Sequence, residues 1–283
     1  MRAGSADGLS GGGAMGDAHP AIWPEACELR PLAASWPELN RATAWFVDPD
    51  RAPEDSAGPH IVVVDDFYRP EELAEVRARA LSARFRRYCP PEPGQLAEPR
   101  AYSSHPPGSW YATSVVYFQG RPVARPFYGE RFSPPWVRRR LAGVIGEDVD
   151  PASWDELGDG WNGAFHLIEA DWTRDRGSIH HHYKPKDVTP RGWSGVVYLS
   201  PDAPPSAGTT IWRDRRTGLC VAGLGVHFAA DLQNFELALA IENRFNRLVL
   251  FRENVLHRAE HGFGRGKSAR LTQTFFFRSH RPR

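Results

Sequence analysis

Three histidines stand in a row at positions 180–182, in the stretch SIHHHYKPKD, just ahead of the apolar segment GWSGVVYLS. Side chains of an extended chain alternate between two faces, so His180 and His182 share one face and His181 takes the other. Two imidazoles on one face can chelate a single divalent ion. A third ligand from another strand completes a facial set with positions left open for substrate and oxygen. The strongest third candidate is His257, just beyond the apolar run of NRLVLFRENVLH, and His261, further into the next loop, is the weaker one. SARLTQTFFF then puts Arg270, Thr272, Thr274 and Phe276 on one strand face. A guanidinium in so apolar a strand needs an anion, and its planar fork suits a carboxylate, with a threonine hydroxyl beside it. A structural acid or a carboxylate cosubstrate can be that anion.

The elements that must position these residues come in two blocks. IVVVDDF (61–67) predicts a buried strand, and RPEELAEVRARALSARF (69–85) a helix. Pro70 sits in that helix's first turn, Glu71 and Glu72 at its positive dipole end, and Leu73, Val76 and Leu81 on one apolar face. Residues 89–135 read as loops and short strands, and PPWVRRRLAGVIGE (134–147) as a second helix. From about 160 onward GAFHLIEADW, WSGVVYLS, GTTIWRD, FNRLVLF and ARLTQTFFF are β-branched or aromatic runs bounded by turn residues. Helices followed by many strands predict an α+β chain with a β-sandwich or barrel core. The Gly-rich residues 1–20 are expected to be disordered, leaving 21–283 as a single domain.

A chain of 283 residues with 41% hydrophobic content can fill one large core. Its net charge of +1 gives no footprint for nucleic acid. RFRRY (84–88) and VRRR (137–140) are expected to be solvated helix faces. Cys27, Cys89 and Cys220 are too scattered for a disulfide framework or a cysteine zinc site. No apolar run fits a signal peptide or a membrane span, so a cytoplasmic protein with no membrane partner is expected. Oligomeric state is not legible in the sequence.

The ordered set of His180, GWSGVVYLS, GTTIWR, NRLVLFRENVLH and RLTQTFFF resembles the iron(II)- and 2-oxoglutarate-dependent oxygenases, in particular the bacterial branch related to prolyl hydroxylases. DDFYRPEEL is similar to the start of that domain. The resemblance covers residues 60–278 and implies a double-stranded β-helix (jelly-roll, cupin-like) core over about 160–278 with flanking N-terminal helices. It implies that His180 and His257 are metal ligands and that Arg270 holds the distal carboxylate of 2-oxoglutarate, assisted by Thr272 or Thr274 and within reach of Tyr198. Gly208 and Thr209 match a small-residue turn. The cofactors implied are Fe(II) and 2-oxoglutarate, with O2 and a small metabolite, amino-acid derivative or peptide side chain as the substrates. The reaction implied is oxidative decarboxylation of 2-oxoglutarate to succinate coupled to hydroxylation.

One position departs from the family. Where the family has an aspartate two residues after its first histidine, this chain has His182. Either His182 is itself a ligand, or Asp187 folds back to supply the carboxylate, or the position is left open for a halide, or the metal has been lost. Three neutral imidazoles leave the full +2 of a divalent ion, where a carboxylate would leave +1. Two rival readings therefore stand beside the oxygenase: a three-histidine iron dioxygenase that needs no 2-oxoglutarate, with Arg270 binding the substrate's own carboxylate, and a non-catalytic binding module. His181, His166 and His227 are expected to be ordinary packing or polar positions, Trp172, Trp193 and Trp212 core residues, and Asn162 a turn or pocket residue.

Overall fold

The computed structural model describes residues 44–47, 61–87, 100–101, 110–118, 121–156, 161–170, 179–182, 192–221, 228–229 and 232–280. Residues 1–20, Cys27, Cys89, Trp172, Asp187 and His227 lie outside the described residues.

Strands β1 (Ala44–Val47) and β2 (Ile61–Val64) pair antiparallel ahead of helix α1 (Pro70–Ser82). Pro70 opens the helix where its missing N–H is not needed, and the Glu72 carboxylate accepts the Arg69 backbone N–H at 2.9 Å. The helix stops at Ser82, short of the expected 85, because Arg84–Arg87 forms β3. That corrects the reading of RFRRY as a solvated helix face: Phe85 is buried, and the buried Arg86 lies over the Phe127 ring at 5.0 Å.

The predicted loop-and-strand region holds β4 (Arg100–Ala101), β5 (Trp110–Ala112), β6 (Ser114–Phe118) and β7 (Arg121–Tyr128). Helix α2 (Pro135–Ile145) ends at Gly146, whose φ of 67° suits a residue without a Cβ. VRRR is not a solvated face throughout either. Arg140 is buried, its two Nη atoms donating to Glu72 at 2.6 and 2.9 Å and one also to the Phe67 carbonyl. This pair ties α2 to α1. The short β8 (Asp148–Val149) and helix α3 (Pro151–Glu156) follow.

Among the described residues after α3 the chain is mainly strand: β9 (Ala164–Ile168), β10 (Ile179–His180), β11 (Gly192–Tyr198), β12 (Thr209–Asp214), β13 (Phe228–Ala229), β14 (Phe235–Ile241), β15 (Leu248–Arg252), β16 (His257–Ala259) and β17 (Arg270–His280). The larger sheet runs β1-β2-β15-β11-β17-β9-β5-β3-β4 and the smaller β13-β10-β16-β12-β14, every neighbouring pair antiparallel. From β9 to β17 the chain passes back and forth: β9, β11, β15 and β17 lie in the larger sheet, β10, β12, β14 and β16 in the smaller. This is a double-stranded β-helix in an α+β chain.

The period of two explains the apolar runs. Ile61, Val63, Val249 and Phe251 face the smaller sheet, with Ile211 and Leu239 opposite. Val62, Val64, Leu250, Phe275 and Phe277 face the other way, onto Val76 of α1 and Leu141 of α2. A sheet covered on both faces needs apolar side chains at successive positions, which is why IVVV and LVLF read as continuous runs. No helix among the described residues is long and apolar enough to cross a membrane.

Candidate metal centre

His180 ends β10 and is paired directly with His257, the first residue of β16, so the ladder itself brings two of the imidazoles together. The chain stays close to β15 after His180, because the His182 N–H donates to the Glu253 carbonyl at 2.7 Å. His182 thereby returns to the face of His180. The ring centroids stand 4.3 Å (180–257), 4.7 Å (182–257) and 5.0 Å (180–182) apart, and one nitrogen from each ring lies within 4.8 Å of the others. No carboxylate joins this cluster among the described residues. His181 turns away and is buried. His261 stands apart, 3.4 Å from the Ser206 hydroxyl.

The outer nitrogens of two rings are held. His257 Nδ1–H donates to the Val255 carbonyl at 2.9 Å, which leaves Nε2 with its lone pair. His182 Nδ1 lies 2.6 Å from the Ser194 hydroxyl, which can accept its proton and free Nε2 in the same way. Burial first, and then the neighbouring imidazoles, hold His182 and His257 well below the usual histidine range, so both are neutral near pH 7. Neutral rings with Nε2 turned inward are what a divalent ion requires. Phe251 packs on His257 at 4.2 Å and Phe276 on His182 at 5.0 Å. Ser194 is paired with both phenylalanines in the ladder, a single hydroxyl in an apolar floor.

The other end of the same β17 face carries Arg270, 2% exposed. Its Nε donates to the Ala207 carbonyl at 2.8 Å and one Nη to Gly208 at 3.3 Å, and no carboxylate lies within ion-pair distance of it among the described residues. Burial lowers its pKa from the ordinary arginine value, opposed by Tyr198, whose ring lies 5.6 Å from the guanidinium carbon. Tyr198 Oη and the Thr209 hydroxyl are 2.8 Å apart. A Cβ on Gly208 would fall 1.9 Å from the Ile241 carbonyl oxygen, so only glycine fits the close turn that offers its carbonyl to Arg270. Thr272 is buried between Tyr198 and His166 in the ladder, whereas the Thr274 hydroxyl donates to the carbonyls of Trp161 and Ala164 at 3.3 and 3.4 Å. Trp161 links the two ends, touching Phe276 at 5.6 Å and His166 at 5.0 Å.

Several of these partners escape sequence reasoning. Ser194 and the Val255 carbonyl orient metal-ligand candidates, and the only sequence signal for Ser194 is its hydroxyl at an inward position of an apolar strand. On the opposite face of β16, the buried Arg258 and Glu260 pair at 3.2 Å, and Glu260 also accepts from Thr210. Asn162 is a tie: its amide donates to the Trp154 carbonyl and its oxygen accepts the Phe276 N–H, both at 2.6 Å. Trp193 and Trp212 are core residues.

No family model matches the sequence, and no curated protein matches it. Among solved structures, the chain is similar to HygX from Streptomyces hygroscopicus with nickel, 2-oxoglutarate and hygromycin B bound, with a TM-score of 0.37 and 11% identity over 77% of this chain and 82% of that one. It is also similar to EvdO2 from Micromonospora carbonacea var. aurantiaca complexed with 2-oxoglutarate, with a TM-score of 0.40 and 13% identity over 78% and 86% of the two chains.

Proposed function

We propose that this chain is a non-haem iron(II)- and 2-oxoglutarate-dependent oxygenase that hydroxylates a small molecule or a peptide side chain. The observation that carries the reading is the pairing of three converging imidazoles with a buried arginine at the other end of the same β17 face, which has no carboxylate within ion-pair distance among the described residues. His180, His182 and His257 fit a divalent first-row metal, because imidazole suits iron, nickel, copper and zinc alike. Bound iron(II) supplies activation of O2 coupled to decarboxylation of the 2-oxo acid.

The chain's own part is positioning and exclusion. Val255 and Ser194 hold two imidazoles with Nε2 inward. Arg270 supplies the positive charge for the distal carboxylate, and the Ala207 and Gly208 carbonyls fix the plane of its guanidinium. Thr272 and Tyr198 add hydroxyls beside it. Phe251 and Phe276 exclude water from the rear of the imidazoles, which protects a reactive centre from side reactions. With three neutral ligands, the 2-oxo carboxylate would leave +1 at a divalent site, and Arg270 would balance the distal carboxylate.

The test is anaerobic reconstitution with iron(II), followed by 2-oxoglutarate and O2. Succinate formation that His257→Ala and Arg270→Met both abolish supports the reading. O2 uptake without succinate overturns its cosubstrate half, and equal, negligible metal binding by wild type and His257→Ala overturns the metal half.

A further inference from the structure

The anion end of the interior holds one more donor. In the larger sheet Thr272 of β17 pairs with His166 of β9 on one side and with Tyr198 of β11 on the other, so the three side chains form a row on the inner face, next to Arg270. Cβ atoms directly opposite in such a row stand about 4.5–5.5 Å apart. His166 is 1% exposed.

Trp110 on β5 fixes the chemistry of that imidazole. Its indole N–H donates to His166 Nδ1 at 2.8 Å. An indole nitrogen donates and never accepts, so Nδ1 carries the lone pair and the neutral ring's proton sits on the buried Nε2. Protonating Nδ1 would set two N–H groups against each other. Burial, and then the Arg270 guanidinium, push the ring down to about 3. His166 is therefore a neutral donor held beside a cation. An acceptor-only carboxylate offers about four lone-pair sites, whereas Arg270 has already given Nε and one Nη N–H to backbone carbonyls.

We propose that His166 is a binding residue for the distal carboxylate of the 2-oxo acid, donating from Nε2–H alongside Arg270 and Thr272, and that Trp110 is the positioning residue that keeps the proton on that nitrogen. The inference rests on the cosubstrate reading above. It adds a neutral donor beside the Arg270 guanidinium, which suits a carboxylate.

The experiment uses the full chain loaded with zinc(II), which is redox-silent, and calorimetric titration with 2-oxoglutarate. Wild type binds saturably. His166→Phe, which keeps an aromatic ring and removes the donor, binds about ten- to a hundredfold more weakly, the scale of a lost hydrogen bond to a charged group. His166→Gln, whose amide N–H reaches a similar point, recovers most of the affinity. Zinc content and thermal midpoint stay near wild type in the Gln variant, which separates a binding role from a purely structural one. Trp110→Phe, at a partly exposed position, deletes the indole donor and keeps an aromatic ring. In protein labelled with 15N-histidine, His166 shows a single Nε2–H tautomer, and Trp110→Phe mixes the tautomers and weakens 2-oxoglutarate binding while the metal stays bound. Unchanged affinity in both His166→Phe and Trp110→Phe overturns this inference and leaves the cosubstrate reading standing. Absence of binding by zinc-loaded wild type overturns that reading, and this inference with it.

Discussion

Replacing Ser194 by alanine tests whether the histidine cluster is built to hold a metal. Ser194 lies on β11 between Phe251 and Phe276, and its hydroxyl is 2.6 Å from His182 Nδ1. With a metal on Nε2 the ring must keep its proton on Nδ1, and that proton needs an acceptor. Ser194→Ala leaves that N–H without its acceptor in an apolar surrounding, at a cost of about 1–3 kcal/mol. The metal-free ring escapes most of this cost, because a neutral imidazole can move its proton to Nε2 and leave Nδ1 bare. The difference between the two states appears as metal affinity. Loss of such an outer partner elsewhere weakens metal binding about 10–100-fold, which corresponds to about 1.4–2.7 kcal/mol and agrees with the desolvation figure. The assay is competition for zinc(II) or cobalt(II) against a chromophoric chelator near pH 7.5, with urea unfolding of both metal-free proteins as the control. An affinity within twofold of wild type, at unchanged metal-free stability, refutes the assignment of Nε2 of His182 as a ligand atom.

Acid should destabilise the metal-free protein early. His166, His182 and His257 all have folded-state pKa values below the unfolded value near 6.5, so the unfolded chain binds more protons at lower pH. Their contribution is complete above about pH 6.5 and falls by up to about 1.4 kcal/mol per group per pH unit below it. Urea midpoints that are flat between pH 7.5 and 5.5 would contradict neutral buried rings, and bound zinc should flatten the wild-type profile in that range. Burial alone would raise the Glu72 carboxyl, but the hydrogen bonds from Arg140 and Arg69 outweigh it and hold the group at about 2. Its stabilisation is present above about pH 4.3 and lost as pH falls towards 2. Arg140→Met, which strands Glu72 without its buried partner, should cost about 3–5 kcal/mol by chemical denaturation at pH 7. Gly208→Ala must push against the Ile241 carbonyl, so a loss of about 1–3 kcal/mol in stability is expected. Since Gly208 also receives an Arg270 N–H, weaker 2-oxoglutarate binding should accompany that loss in calorimetry.

What the sequence made legible follows from which interactions are local in the chain. Alternation puts His180 and His182 on one face, and the double-stranded β-helix implied by the resemblance sets His257 against them. The β10 ladder, however, ends at His180, and a backbone bond from His182 to Glu253 keeps the second imidazole on course. Helix α3 has a local signal in the sequence: Pro151 follows Asp150, whose carboxylate accepts the Ala152 N–H at 3.0 Å, a capped start for a short helix. RFRRY and VRRR show that charge in a sequence does not mean exposure: Arg86 lies over the Phe127 ring and Arg140 is paired with Glu72 of α1, whereas Arg84 is exposed.

The remaining partners were out of reach for a different reason. Ser194 meets His182, Trp110 meets His166, and Thr272 stands between His166 and Tyr198 only because β5, β9, β17 and β11 adopt one particular register. A slip of one residue would turn every one of these side chains to the helix-covered face. The apolar alternation fixes that register through Val196, Val249 and Phe251 inside and Val197, Leu250 and Phe275 outside, so the packing that folds the sheet also sets the donors in place. Substitutions that loosen this packing should therefore weaken metal and anion binding together, while substitutions at Ser194 or His166 separate the two.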